Sequence, residues 1–463
     1  EHARRPGVVM PLNKLTRAVA LLVLASSSHA FVRPPRSTLP SSRVRCRSGA
    51  GSVRMAAMPD GVDKLKSRLG AALLASALTA MPIAAPLTAF PQPSHAAPAG
   101  GGKQNAPTSS GSRVNKDAES LLRNGLPISN KDVRKLQLQI EQSKQDIKVK
   151  RIGAATGEAN EARKIASNSV SAILKSVRAD EQEAGKQLLK DIDEQMGVAV
   201  VALGEQNGQG SVQERSALDR SFEAESNAAT MLSRLEELMV PASFDVVIPE
   251  EYKDLPVLKG RAEIEFTMKK GPDDDDGKFN IEGTLYDRAT VKMIIDGYNA
   301  PITGGNFVDL VDKGFYKNMR IQRSDGFVVQ TGENDKGGYI PPGASKARTI
   351  PLEIMVQGDK VPMWGSTIEE DGRGSAATVL PFQSYGALGM ARTEFEDDSA
   401  SAQFFWLLFD SDLTPAGKNL LDGIYTCFGY TTDGADLLAD VKEGDIIESA
   451  RVVSGLGNLK RAE

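Results

Sequence analysis

Histidine and cysteine are almost missing from this chain, whose 463 residues hold 3 His and 2 Cys. All three histidines (His2, His29, His95) and Cys46 fall within the first 97 residues, so the rest has no imidazole and one thiol, Cys427. Once that first stretch is removed, Ser/His/Asp and Cys/His catalysis, a His-ligated zinc and an intramolecular disulfide are all excluded. Any activity must run without an imidazole. Cys427 lies in the apolar run Ile424-Tyr425-Thr426-Cys427-Phe428 and reads as a small buried strand residue, with an intermolecular disulfide as its other use.

The first 97 residues read as targeting segments. From Met10 come a basic start (Lys14, Arg17), an apolar run from Ala18 to Ala25 and a small-residue site, Ser28-His29-Ala30, which together predict a signal peptide over about 10–30. From Phe31 to Pro59 there is no acidic residue, while Arg33, Arg36, Arg43, Arg45, Arg47 and Arg54 alternate with Ser, Pro and Gly, as in a transit peptide over about 31–60. A second leader over about 61–96 has Lys64, Lys66 and Arg68, an Ala/Leu-rich stretch from Leu69 to Ala89, and Ser94-His95-Ala96 as its cleavage-like end. One transmembrane helix from Leu69 to Phe90 is the competing reading, and Pro82 and Pro86 weigh against it. This series resembles the targeting of thylakoid-lumen proteins in algae with complex plastids, and without a twin-arginine pair it favours a Sec-like route. The processed chain is then expected to have no stable membrane span.

Removing this segment takes away 13 basic and 3 acidic residues, which leaves 43 basic against 57 acidic and a net charge of about −14. Such a chain is a poor partner for nucleic acid.

Residues 98–112 are Gly/Pro/Ser-rich and read as a flexible leader. Beyond them, Val133, Leu136, Ile140 and Ile147 recur at helical spacing, as do Ile165, Ile173, Leu174 and Val177, then Leu188, Leu189, Ile192 and Met196, then Leu218, Phe222, Met231, Leu232, Leu235 and Leu238. Gly204 to Ser211 breaks the last two faces and Pro241 ends the run, so 113–241 is expected to be an antiparallel helical bundle. These stripes are core, and no cofactor motif lies among them. After Pro241 the period shortens to strands: Ala262–Met268, Phe279–Leu285, Thr290–Ile295, Gly326–Gln330, Ala387–Ala391, Gln403–Phe409 and Tyr425–Tyr430. The run Asp273 to Asp276 before Gly277 fails as a calcium loop, because Pro272 and Gly283 stand where ligands are needed, and reads as an exposed hairpin tip. The fold class is therefore α+β, a helical bundle followed by an antiparallel β-barrel.

Four blocks in order carry a family likeness. They are Ala300-Pro301-Ile302-Thr303-Gly304-Gly305-Asn306-Phe307, then Gly314 to Gly332, then Gly386 to Ala391 with Ser401 to Leu408, then Leu421 to Gly429. Residues 246–457 so resemble a cyclophilin-type peptidyl-prolyl isomerase domain, and the whole order of parts is similar to the multidomain thylakoid-lumen cyclophilins, whose helical part resembles a photosystem II extrinsic subunit. The resemblance implies Arg320 as the catalytic arginine and Phe327, Gln330, Ala391, Gln403, Phe405 and Leu421 as substrate-binding residues, with about two residues inserted between Arg320 and Phe327. It implies isomerisation of X-Pro bonds with no metal and no cofactor, on proline-containing segments, with photosystem II subunits as candidate clients. The alternative it leaves open is a catalytically weak, peptide-binding assembly factor. Departures from the family pattern favour that alternative: Met319, Val328, Ala402, Leu420 and Tyr425 stand where the family has His, Met, Ser, Trp and His, and Arg392 replaces the Asn after Met-Ala.

Overall fold

The computed structural model describes residues 115–205, 211–274, 277–374, 376–409 and 419–461; the targeting segments and the 98–112 leader lie outside these. Six helices come first: α1 (Ala118–Asn124), α2 (Lys131–Lys148), α3 (Ile152–Asn168), α4 (Val170–Leu174), α5 (Gln182–Gly204) and α6 (Val212–Leu238). Side-chain caps start three of them. Asp117 accepts from Ser120 N at 2.8 Å, Asn130 from Asp132 N and Val133 N at 3.0 Å, and Ser211 from Glu214 N at 3.0 Å. Each cap contributes about 1 kcal/mol by satisfying helix-end N–H groups.

The four long helices α2, α3, α5 and α6 pack around Val133, Leu136, Ile140, Ile192, Met196, Leu232 and Leu235, all buried. Alanine fills the rest of the seam: Ala155, Ala159 and Ala162 on α3 and Ala224, Ala228 and Ala229 on α6 are also buried, and their small side chains let the helix backbones approach closely.

From Val257 onward the described chain turns to strands, which run in chain order from β1 (Val257–Leu258) to β14 (Leu459–Lys460). Eight of them form one antiparallel sheet in the order β13 (Ile446–Ser454), β2 (Arg261–Lys269), β5 (Ala289–Asp296), β12 (Cys427–Asp433), β10 (Ala387–Met390), β11 (Phe404–Leu407), β7 (Val328–Thr331), β6 (Arg323–Ser324). Residues 318–321, just before β6, return to β13 through Asn318 N to Ile447 O at 2.7 Å and Ile321 N to Asp445 O at 2.8 Å, so the sheet curls back on itself. Alternation decides which face is inside. On β2, Ala262, Ile264, Phe266 and Met268 point inward, opposite Ile295, Met293, Val291 and Ala289 of β5. Phe307, Tyr316, Phe404, Trp406 and Phe428 fill the interior around Phe266. The expected single strand Phe279–Leu285 is instead a hairpin of Phe279–Ile281 and Thr284–Tyr286, because Glu282 (φ 48°) and Gly283 (φ 85°) turn the chain between them.

One buried helix, α7 (Pro301–Asp312), lies among the barrel strands, and the first quoted motif forms about its first two turns. Pro301 suits the first turn, which needs no N–H partner. Gly305 is forced, since a Cβ there would stand 2.3 Å from Pro256 O. Glu353 caps the helix from a distant strand, Glu353–Ile354, accepting from Ile302 N at 3.1 Å and Thr303 N at 2.8 Å. Burial drives the Glu353 carboxyl up to about 7 in spite of these bonds.

Bundle and barrel meet along α1. Leu121 and Leu122 join a buried cluster on the barrel, whereas Arg123 turns the other way to Glu141, Ala229 O and Ser233 of the bundle. Arg261 of β2 holds Asp296 at 2.7 Å, Glu237 of α6 at 3.2 Å and the carbonyl of Leu122. Beside this clamp lies a cleft of about 960 Å³ between α5, α6 and the barrel, lined by Arg178, Leu188, Phe244 and Tyr298 among others. It lies apart from the motif residues described next.

Candidate functional site

Strand pairing sets the site residues in a row across four strands. Arg323 of β6 is opposite Gln330 of β7, Gln330 is opposite Phe405 of β11, and Phe405 is opposite Gly389 of β10. Directly paired residues in an antiparallel sheet project to the same face, so Arg323, Gln330 and Phe405 share one surface. Gln330 Nε2 donates to Gln403 Oε1 at 3.0 Å, and Ala391 N donates to Gln403 O at 3.0 Å. Leu421 is half-buried beside them, its N–H bonded to Asn419 Oδ1 at 3.0 Å. The structure thus brings Gln330, Ala391, Gln403, Phe405 and Leu421 together.

Phe327 stands at the edge of this group. It is 49 % exposed and stacks on Phe409, with ring centroids 5.4 Å apart and planes 7° from parallel. Its loop is fixed by Asp325, which accepts from Phe327 N at 3.0 Å and Val328 N at 3.1 Å and pairs with the Arg323 guanidinium. Burial works against the Asp325 charge, but the Val328 N–H and Arg323 outweigh it and hold the carboxyl below its usual range.

Arg320 does not join the row. It is exposed, bridges Ile446 of β13, and its carbonyl accepts from Thr331 Oγ1 at 2.9 Å. Arg323, three residues further on, occupies the place across from Gln330. Counting five residues back from Phe327, as the family motif would have it, lands on Gln322, so spacing alone does not single out Arg323.

Phe405 is 1 % exposed. Its ring lies flat over Gly389, where a Cβ would meet Phe405 Cζ at 2.1 Å. Phe382 stacks alongside it at 6.0 Å and 17°, and Tyr425 meets it edge-on at 5.8 Å and 87°. Having no side chain, Gly389 lets the ring sink onto the backbone. Phe382 carried no sequence signal, since it belongs to no motif.

Among the described residues no group of three or more His, Cys, Asp or Glu could hold a metal, and no helix is long and apolar enough to cross a membrane. The Cys427 thiol is buried, and the absence of water drives its pKa well up, so it is no nucleophile at neutral pH.

Comparison with known proteins agrees with this architecture. Residues 281–457 match the family described as cyclophilin type peptidyl-prolyl cis-trans isomerase, and residues 117–240 match the PsbQ-like domain of CYP38-like peptidyl-prolyl cis-trans isomerases. The chain is 42 % identical over 349 residues to the chloroplastic peptidyl-prolyl cis-trans isomerase CYP38 of Arabidopsis thaliana, covering 74 % of this chain and 75 % of that protein. It is 38 % identical over 346 residues to a putative thylakoid lumen peptidyl-prolyl cis-trans isomerase of Synechocystis, covering 74 % and 84 %. A chloroplastic relative, CYP37 of Arabidopsis thaliana, is 28 % identical over 360 residues, covering 75 % and 71 %.

Proposed function

This chain belongs to the cyclophilin-type peptidyl-prolyl cis-trans isomerases of the thylakoid lumen, and we propose that it turns X-Pro bonds of lumen protein segments on the face that carries Arg323, Gln330 and Phe405. The observation that carries this reading is the row itself, which puts a guanidinium, an amide and an aromatic ring on adjacent strands of one surface. Rotation about X-Pro must overcome a barrier of roughly 18–20 kcal/mol, because amide resonance is lost at the twisted geometry. As the prolyl nitrogen becomes pyramidal its lone pair localises, and a guanidinium N–H bonded to it stabilises the twisted state more than either planar isomer. No proton transfer is needed, which fits a site without histidine. Gln330, tied to Gln403, orients the segment's carbonyl, while Phe405 and Leu421 receive the proline ring.

Two arginines compete for the catalytic role, Arg320 by motif and Arg323 by register. Isomerisation of a proline tetrapeptide by the parent, Arg320→Ala and Arg323→Ala decides between them. The register argument expects Arg323→Ala to lose about a hundredfold to a thousandfold in turnover and Arg320→Ala to lose little. A large loss confined to Arg320→Ala would return the role to the motif position.

One observation favours a second reading. Phe405 is almost wholly covered, which suits a groove that grips segments of photosystem II subunits during assembly without turning them over. The PsbQ-like helical domain supports the same reading. A parent that binds proline peptides but leaves their isomer exchange at the uncatalysed rate would establish it in place of the first.

A further inference from the structure

The place for a proline ring is covered by the chain's own side chains, stacked in order. Phe405 lies at the bottom, Tyr425 leans edge-on against it, and the Arg392 guanidinium sits over the Tyr425 ring at 5.3 Å. Tyr425 is 6 % exposed and the Arg392 side chain 5 %. With Phe382 stacked against Phe405 as well, no ring can reach Phe405 until Tyr425 moves, and Tyr425 cannot move outward under Arg392.

Arg392 is held by contacts that water can replace. It donates to Ile424 O at 3.2 Å, to Thr393 O at 3.0 Å and to Glu394 O at 3.4 Å, and it pairs with Asp397 at 3.1 Å. Asp397 is 23 % exposed and Thr393 is at the surface. A guanidinium that lets go here trades backbone carbonyls and one partly buried carboxylate for solvent, and it recovers the hydration that its 5 % exposed seat denies it, so the closed arrangement is favoured by a small margin. Nothing in the barrel core has to change.

We propose that Arg392 is a latch on the proline groove: seated over Tyr425 it keeps Phe405 covered, and its release, with rotation of Tyr425, admits the segment. The residue therefore sets the affinity of the groove. This rests on the groove being the peptide site, as argued above. A segment that binds only the open form sees its dissociation constant raised by the inverse of the open fraction, so an open fraction of about one in ten weakens binding about tenfold. The latch acts on Tyr425 and not on the reacting bond, which makes Arg392 a positioning residue.

The test uses the whole chain and a proline tetrapeptide, with affinity from calorimetry and isomer exchange from NMR. Arg392→Met keeps the stem over Tyr425 and removes the bonding head. Asp397→Asn keeps the guanidinium and weakens its anchor. The latch predicts about tenfold tighter binding for Arg392→Met and a smaller gain for Asp397→Asn, with the change in turnover falling mostly on KM. A residue that merely held the fold together would give weaker binding on removal. Unchanged or weaker binding by a variant that melts within a few degrees of the parent overturns the latch, and if Arg392→Met does not fold, Asp397→Asn decides alone. Tighter binding without isomerisation by any form would keep the latch and remove the isomerase reading. Isomerisation by the parent with affinities untouched by both substitutions would do the reverse.

Discussion

Glu225→Gln should stabilise the helical bundle at neutral and alkaline pH and remove part of its pH dependence. Glu225 lies on α6, fully buried, facing Ser143 of α2. Ser143 Oγ has one proton and two neighbours, the Ala155 carbonyl at 2.8 Å and Glu225 Oε1. A carbonyl can only accept, so when the hydroxyl donates to Ala155 the proton on the other bond must come from Glu225. Geometry and burial agree: burial lifts the carboxyl to about 8 from its ordinary 4.5, against the pull of Ser143 and Lys144 and with help from Glu158. The folded form thus keeps a proton that the unfolded chain loses above pH 4.5, so stability is fully present below that pH and falls as pH rises towards about 8. At 1.36 kcal/mol per pH unit, about 3 kcal/mol is gone by pH 7, and the loss levels off near about 5 kcal/mol above pH 8. Gln keeps an acceptor and a donor at Ser143 and cannot ionise. Urea melts of parent and Glu225→Gln from pH 5 to pH 8.5 should give curves that diverge in the variant's favour as pH rises. The comparison is with the parent because Glu236 and Glu353 are also raised, each to about 7, and bend both curves alike. Parallel curves, or a variant less stable than the parent at pH 7.5, would refute the protonated carboxyl.

Gly389→Ala should cost about 1–3 kcal/mol in chemical denaturation, because its methyl group falls inside the Phe405 ring. Phe405→Ala should cost about 3–5 kcal/mol and weaken peptide binding in the same measurement, whereas Arg323→Ala, which also loses the pair with Asp325, should lower isomer exchange by far more than its drop in melting temperature accounts for. Arg261→Met should cost about 3–5 kcal/mol, since it leaves Asp296 buried without its cation, and limited proteolysis should then cut first between α6 and β2.

The class of fold was readable because its signals are periodic. Val133, Leu136 and Ile140, or Ala262 to Met268, bury one face by spacing alone, and Gly305 and Asn306 mark α7 because backbone approach and a buried amide leave few alternatives. What escaped has reasons too. The alanines of α3 and α6 contribute packing through smallness, which a count of large apolar residues ignores. Strand β13 went unnoticed because Glu448, Ser449 and Arg451 interrupt its pattern where its outer face meets solvent. Arg323 carries no motif signal of its own, because an insertion shifts register without leaving a mark in composition, and only the strand pairing shows it opposite Gln330. The buried acids Glu225, Glu236 and Glu353 carry no local sign of burial, since burial of a carboxyl depends on partners from distant segments.

The position of α1 bears on how the protein is made. Leu121 and Leu122 open the helical bundle and so leave the ribosome before the rest of it, yet the strand they pack on, β12, is among the last. The bundle core of α2, α3, α5 and α6 can form from residues close in sequence, and Arg123 can dock on it early. The leucine face cannot: Arg261 lies 139 residues beyond the Leu122 carbonyl it holds, Asn299 lies 174 beyond that of Gly125, and β12 lies further still. Closing so long a loop is a slow, late event. During synthesis and transport the chain carries a small apolar patch at its leading end that only the finished barrel can cover, so truncation within the barrel should leave a well-helical bundle that aggregates through α1.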